Sequence, residues 1–185
     1  MAARECACDA RSVLRVLVTG MSGVGKSSVV TELLARGYRA VDLDDGWCRP
    51  QPDGGQIIDE ERVVPLLDEE TPELFLAGCE ENQVNLYDRL NKVVLLSAPV
   101  DLMLERVRRR HGNPYGRTEA ERARIVADTR EIEPLLRRSA DHVVETDRPL
   151  TEVVDELLSI LRLPLQMASS IAMAPCSSTG RSCCR

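Results

Sequence analysis

The chain has 185 residues, 43% of them apolar and 29% charged, an ordinary globular balance with room for one domain. That balance excludes collagen-like, mucin-like and wholly disordered classes. The formal net charge of −6 argues against a nucleic-acid binder, and the positive charge is lopsided, with Lys26 and Lys92 against 22 arginines.

Residues 1–11 read as a short polar arm. Residues 13–19 are near-continuously apolar, as in a strand buried on both faces of a parallel sheet. Arg15 interrupts this stretch, which is too short and too charged for a signal peptide. Residues 26–36 place Val29, Val30, Leu33 and Leu34 on one side of a helix, and Gly37 stands where that helix ends. Residues 38–42 read as a second strand, 60–67 as a helix, 74–77 as a third strand and 93–96 as a fourth. Residues 100–110 space Val100, Met103, Leu104 and Val107 as an amphipathic helix. Thr118 and Glu121 form a capping box that opens a long helix to about Arg138, which Pro134 is expected to kink or divide. Residues 142–146 read as a fifth strand, and Leu150, Val153, Val154, Leu157, Leu158 and Leu161 form the strongest helical stripe. Residues 163–185 lose periodicity and read as a disordered or loosely packed tail. Strands alternating with helices predict a three-layer α/β domain around a five-stranded parallel sheet.

No apolar run reaches the ~18 residues of a membrane span, so neither a membrane partner nor a non-cytoplasmic location is expected. Of seven cysteines, Cys6 and Cys8 lie in the arm, Cys176, Cys183 and Cys184 in the tail, and only Cys48 and Cys79 in the body. A body of this size needs no disulfide staple, and the cysteines read as incidental thiols, with a terminal metal clip as the alternative.

Residues 20–27, GMSGVGKS, match the phosphate-loop (Walker A) pattern G-x-x-x-x-G-K-[ST], between a buried strand and an amphipathic helix. Gly20, Gly23 and Gly25 let the backbone bend around an anion. The amides from Ser22 through Val24 to Ser28 can point at phosphate oxygens, helped by the positive end of the following helix. Lys26 can bridge the outer phosphates and Ser27 can ligate Mg²⁺. One of only two lysines thus stands where a compact ammonium is needed.

The second strand ends in Asp42-Leu43-Asp44-Asp45, where ligands of open α/β sheets bind. If the segment stays extended, Asp42 and Asp44 share a side, one for Mg²⁺ and one for the proton of an attacking hydroxyl. Residues 41–81 carry 13 acidic residues against Arg49 and Arg62, whereas residues 106–124 carry seven arginines against Glu119 and Glu121. Arg110 and Arg117 flank a loop that can close over a nucleotide, while Arg106 and Arg108 read as solvated or in surface ion pairs. The third strand lacks the acidic ending of a usual Walker B; Gly78 there would let an acceptor approach the backbone. Trp47 could stack on a base or sugar, or anchor packing. Asn82, Gln83 and Tyr87 could bond a polar acceptor, or cap a helix.

The chain resembles the small P-loop kinases of the adenylate kinase and shikimate kinase superfamily, AAA-type ATP-binding proteins. The resemblance rests on residues 20–27, Asp42-x-Asp44, the Gly78 turn, Leu104-Glu-Arg-Val, Arg110…Arg117 and Pro134…Ala140-Asp141. It covers about residues 13–162 and looks closest to shikimate and gluconate kinase-like members. It implies a P-loop NTPase fold with sheet order 2-3-1-4-5, a kinase domain over residues 12–162, an acceptor segment at about 43–70 and a short lid at about 110–120. It further implies Asp42 near Mg²⁺, Asp44 on the acceptor hydroxyl, Arg110 against adenine and Arg117 on the phosphates. Two departures point away from shikimate itself. Residues 46–68 hold only Arg49 and Arg62, and Ile132 stands where an arginine is expected. An arginine pair for an acceptor phosphate is also missing. The expected activity is Mg²⁺- and ATP-dependent phosphoryl transfer to a small-molecule hydroxyl or phosphate acceptor. The alternative is an ATP-binding or ATP-hydrolysing regulatory protein without such an acceptor.

Overall fold

The structure is a computed structural model, which describes residues 13–52, 54–110 and 113–162. The polar arm, the tail and their cysteines lie outside the described residues, apart from Val13 onward.

The first βα unit shows how local sequence sets the frame. Strand β1 (Leu14–Thr19) is buried along nearly its whole length. Helix α1 (Lys26–Ala35) packs Val29, Val30 and Leu33 inward, but Leu34 is half exposed, outside the stripe read from spacing. At its end Gly37, at φ +86°, donates to the Leu34 carbonyl, and Tyr38 donates to the Leu33 carbonyl. This left-handed cap uses the Tyr38 amide. The second strand, β2 (Ala40–Asp42), therefore starts two residues later than expected.

An unpredicted insertion follows. Strands β3 (Cys48–Pro50) and β4 (Gln56–Ile58) pair as a small antiparallel hairpin ahead of α2 (Glu60–Leu67). Strand β5 (Glu73–Ala77), a 3₁₀ helix (Glu81–Arg89), β6 (Lys92–Ser97), α3 (Val100–Arg109), α4 (Glu119–Ser139), β7 (His142–Glu145) and α5 (Leu150–Ile160) complete the order. The large sheet is parallel and runs β2-β5-β1-β6-β7. The extra hairpin shifts the numbering relative to a five-strand count, because it falls between the second and third strands of the sheet. Pro134 does not divide α4, which runs 21 residues from a complete Thr118–Glu121 capping box. Its φ suits a helix, and the cost is one missing amide.

Residues alternate between the faces of the sheet. Val16, Val18, Phe75 and Ala77 face a core built with α1, α3, α4 and α5, and Leu17, Leu74 and Leu76 face one built with α2 and the 3₁₀ helix. Arg15 is the exception in composition, only 3% exposed in the middle of this frame. Its guanidinium donates to the carbonyls of Leu67 (2.8 Å), Thr71 (3.0 Å), Leu14 and Glu69. It thereby satisfies the loose carbonyl end of α2 and fixes the turn into β5. The carboxyl ends of β1, β2 and β5 are held together at one edge, where the site lies.

Candidate active site

The loop between β1 and α1 is shaped by packing on one side and left open on the other. A Cβ on Gly20 would lie 2.5 Å from the Leu96 carbonyl oxygen, and one on Gly23 would lie 2.6 Å from that of Met103. Both glycines are therefore demanded by the neighbouring backbone. Gly25, at φ +109°, meets nothing within 4 Å; its side of the loop opens into the cleft. Helix α1 begins at the next residue with no acidic side chain in its first turn, so its positive end is unopposed. Lys26 Nζ folds over the loop and donates to Gly20 O at 2.6 Å and Met21 O at 3.4 Å. The hydroxyl-bearing Ser27 and Ser28 are exposed.

Residues 22–28 line a cleft of about 950 Å³ together with Asp42, Asp44 and Asp45. The chain does not stay extended there. β2 stops at Asp42, Asp45 N–H donates to Asp42 O, and the Asp42 carboxylate accepts the Asp44 N–H at 3.1 Å. Both carboxylates nonetheless reach the cleft.

Glu80, three residues beyond β5, was missed by sequence reading. Gln56, from the hairpin, donates to Glu80 Oε1 at 2.7 Å and to Asp44 Oδ1 at 3.2 Å. Carboxylate oxygens of Asp44 and Glu80 and the Cys48 sulfur lie within 4.8 Å of one another. Burial raises the Glu80 carboxyl above its usual range and Asp44 adds to this; the Gln56 bond and Lys26 oppose it. Burial, then Glu80, Asp44, Asp42 and Asp59, push the Cys48 thiol up to about 12. It is therefore a neutral thiol at physiological pH, donating to Leu43 O at 3.3 Å. The only signal for Glu80 was acidity just after the third sheet strand, where a Walker B carboxylate is sought one or two residues earlier.

The arginines are distributed differently from expectation. Arg110 lines the cleft, donates to Tyr115 O at 2.7 Å and has a buried Nε without a partner among the described residues. Burial lowers its guanidinium pKa, and Asp44 across the cleft opposes that shift. Arg117 is exposed, does not line the cleft, and contributes its carbonyl to Arg122. His111 and Gly112, in the expected lid, lie outside the described residues. Arg106 is no surface residue. It donates to Val24 O at 3.2 Å, Thr146 Oγ1 at 3.0 Å and Thr146 O at 2.5 Å, while Thr146 Oγ1 donates to Val24 O at 2.8 Å. This knot ties the phosphate loop to α3 and the end of β7. Arg109 and Arg148 also line the cleft.

The other residues expected at the acceptor have partners of their own. The Asn82 amide is bonded to the Ile58 N–H and carbonyl (2.9 and 3.0 Å) and to Glu60, pinning the hairpin to the 3₁₀ helix. A Cβ on Gly78 would lie 3.0 Å from the Leu43 side chain, so packing there favours glycine, and Gly78 is not among the residues lining the cleft. Trp47 packs against the lower core and carries the Arg62 guanidinium 4.8 Å over its ring; it faces a neighbouring hollow, not the cleft. Gln83 is buried, accepts from the Thr19 hydroxyl at 3.0 Å and donates to Tyr87.

The parallel β2-β5-β1-β6-β7 sheet with a phosphate loop between β1 and α1 defines a P-loop fold. The chain belongs to the AAA domain family, which matches residues 16–127. A search of curated proteins finds no match. Among solved structures, shikimate kinase from Bacteroides thetaiotaomicron is similar at 17% identity and TM-score 0.60, over 81% of this chain and 99% of that one. Shikimate kinase from Acinetobacter baumannii, in complex with shikimate, is similar at 19% and 0.59, over 82% and 93%. A gluconokinase from Sinorhizobium meliloti 1021 is similar at 20% and 0.53, over 80% and 91%. At these identities the likeness is one of fold.

Proposed function

We propose that the chain is an Mg²⁺- and ATP-dependent phosphotransferase that moves the γ-phosphoryl group to a small-molecule hydroxyl. One observation carries this reading: a phosphate loop with Lys26 at its mouth and the Asp42–Asp44 carboxylates share a single cleft. The residues fit the ligands implied. The open side of Gly25 and the unopposed N-terminal end of α1 suit a polyphosphate. Ser27 and Asp42 would hold Mg²⁺, which supplies charge neutralisation on the phosphates.

The chain's own groups then divide the work. Lys26 neutralises charge gathering on the outer phosphates, and Arg110 lines the same cleft. Asp44 orients the acceptor hydroxyl and takes its proton. The Arg106–Thr146 knot holds the loop still, so little reorganisation is needed when charge moves. The family's small-molecule kinases and the departures of residues 46–68 from shikimate kinases support an acceptor other than shikimate.

The test is acceptor-stimulated ADP release with detection of the phosphorylated product. Asp44→Asn is expected to lower kcat by about 10²–10⁴ with a small change in the KM for ATP. Full activity in that variant would remove Asp44 from the chemistry. ATP hydrolysis that no hydroxyl compound accelerates would favour the regulatory alternative.

A further inference from the structure

The second half of the expected lid is bonded into the body of the domain. Gly116 is buried at φ +92°, and a Cβ there would collide with Val107 Cγ1 of α3 and lie 3.2 Å from Ile125 Cδ1 of α4. Tyr115 packs against the core that holds Val107 and Ile125. Each amide from Tyr115 to Thr118 has an acceptor. In order these are Asn113 Oδ1 at 2.9 Å, Glu121 Oε2 at 3.1 Å, Pro114 O at 3.3 Å and Glu121 Oε2 again at 3.0 Å. Arg122 donates to the Gly116 and Arg117 carbonyls at 3.3 and 2.6 Å. The Tyr115 carbonyl accepts from Arg110 Nη2 at 2.7 Å, the one hydrogen bond of that guanidinium among the described residues. The Arg110 amide donates to Arg106 O at 3.0 Å. Arg110 is thus held by α3 at its backbone and by this turn at its tip, and it lines the cleft with residues 22–28.

We infer that Gly116 and Glu121 are positioning residues for the nucleotide and act through Arg110: they fix the Tyr115 carbonyl, and that carbonyl sets where the guanidinium stands in the cleft. This rests on the phosphotransferase reading and adds the device that presents one of its arginines. An arginine side chain has many rotamers, and ordering it on binding costs affinity. A guanidinium already held in place loses less, so the nucleotide meets a cation that is set before it arrives. The two residues work by different means. Gly116 combines a left-handed backbone with a contact that leaves no room for a side chain. Glu121 spends a single oxygen on two successive amides, a task that a neutral amide of the same shape can also perform. Neither residue lines the cleft, so their influence on the nucleotide passes through Arg110.

The experiment measures binding of Mg²⁺ and AMP-PNP, an ATP analogue that resists hydrolysis, to the full chain by calorimetry, which needs no acceptor. Arg110→Ala is expected to weaken binding about 10–10²-fold. Glu121→Ala and Gly116→Ala are each expected to weaken it about tenfold, and Glu121→Gln to stay within about threefold of wild type. In an Arg110→Ala background, Glu121→Ala should add less than about twofold, because no guanidinium is left to position. Thr118→Ala removes the hydroxyl of the capping box but leaves the Glu121 carboxylate on Gly116; it should lower the thermal midpoint and leave the affinity unchanged. If Gly116→Ala does not fold, the Glu121 variants decide alone. Wild-type affinity in Arg110→Ala or Glu121→Ala, a Glu121→Ala loss as large without Arg110 as with it, or an equal loss in Thr118→Ala would overturn the inference while leaving the phosphotransferase reading intact. A wild-type chain that binds no AMP-PNP would overturn both.

Discussion

Arg106 connects three parts of the molecule through one guanidinium: the phosphate loop at Val24, helix α3 from which it springs, and Thr146 after β7. Arg106→Ala strips the Thr146 carbonyl of its guanidinium donor and leaves the Val24 carbonyl with the Thr146 hydroxyl alone. We expect a loss of about 1–3 kcal/mol in urea unfolding and weaker ATP binding by about tenfold. Unchanged ATP affinity would show that the knot does not hold the loop. Glu80 is legible by pH. A carboxyl raised by folding binds more protons in the native state. Its contribution is therefore full below the unfolded-chain value and is lost as pH rises through the folded value. Glu80→Gln should thus unfold at higher urea than wild type near neutral pH, and the gain should vanish at about pH 4. The opposite trend would mean that the Gln56 bond and Lys26 outweigh burial.

Two elements show where the chain spends local order. Helix α4 begins with Thr118 accepting from the Glu121 amide while the Glu121 carboxylate accepts from the Thr118 amide. Thr118→Ala should cost about 1 kcal/mol and lower the thermal midpoint accordingly. Helix α2 ends without a glycine cap, and Arg15 supplies donors to its end from strand β1. Arg15→Met keeps the apolar stem but strips several carbonyls of their partners, and should cost about 2–4 kcal/mol in chemical denaturation. An unchanged midpoint would mean that water satisfies those carbonyls.

Across the whole molecule, what sequence made readable was what depends on local pattern. The buried strands, the α5 stripe and the phosphate loop each carry their signal within a few residues. The β3–β4 hairpin escaped because its strands are three residues each and carry no alternation. That omission had consequences, since the hairpin delivers Gln56 to Asp44 and Glu80 and receives the Asn82 amide. Arg106, Arg109 and Arg148 reach the cleft through tertiary folding, and no spacing in the chain distinguishes them from Arg117, which does not. The charge division was visible, an acidic stretch and an arginine-rich one, but only the fold shows both lining one cleft.

The central claim is that this cleft transfers a phosphoryl group under the charge of Lys26. Acceptor-stimulated ADP release by wild type and Lys26→Ala tests it most directly. The account predicts a fall in kcat of about 10²–10⁴, equivalent to roughly 3–5 kcal/mol of transition-state stabilisation, in a variant that still unfolds cooperatively. Turnover equal to wild type in a folded Lys26→Ala protein would contradict it.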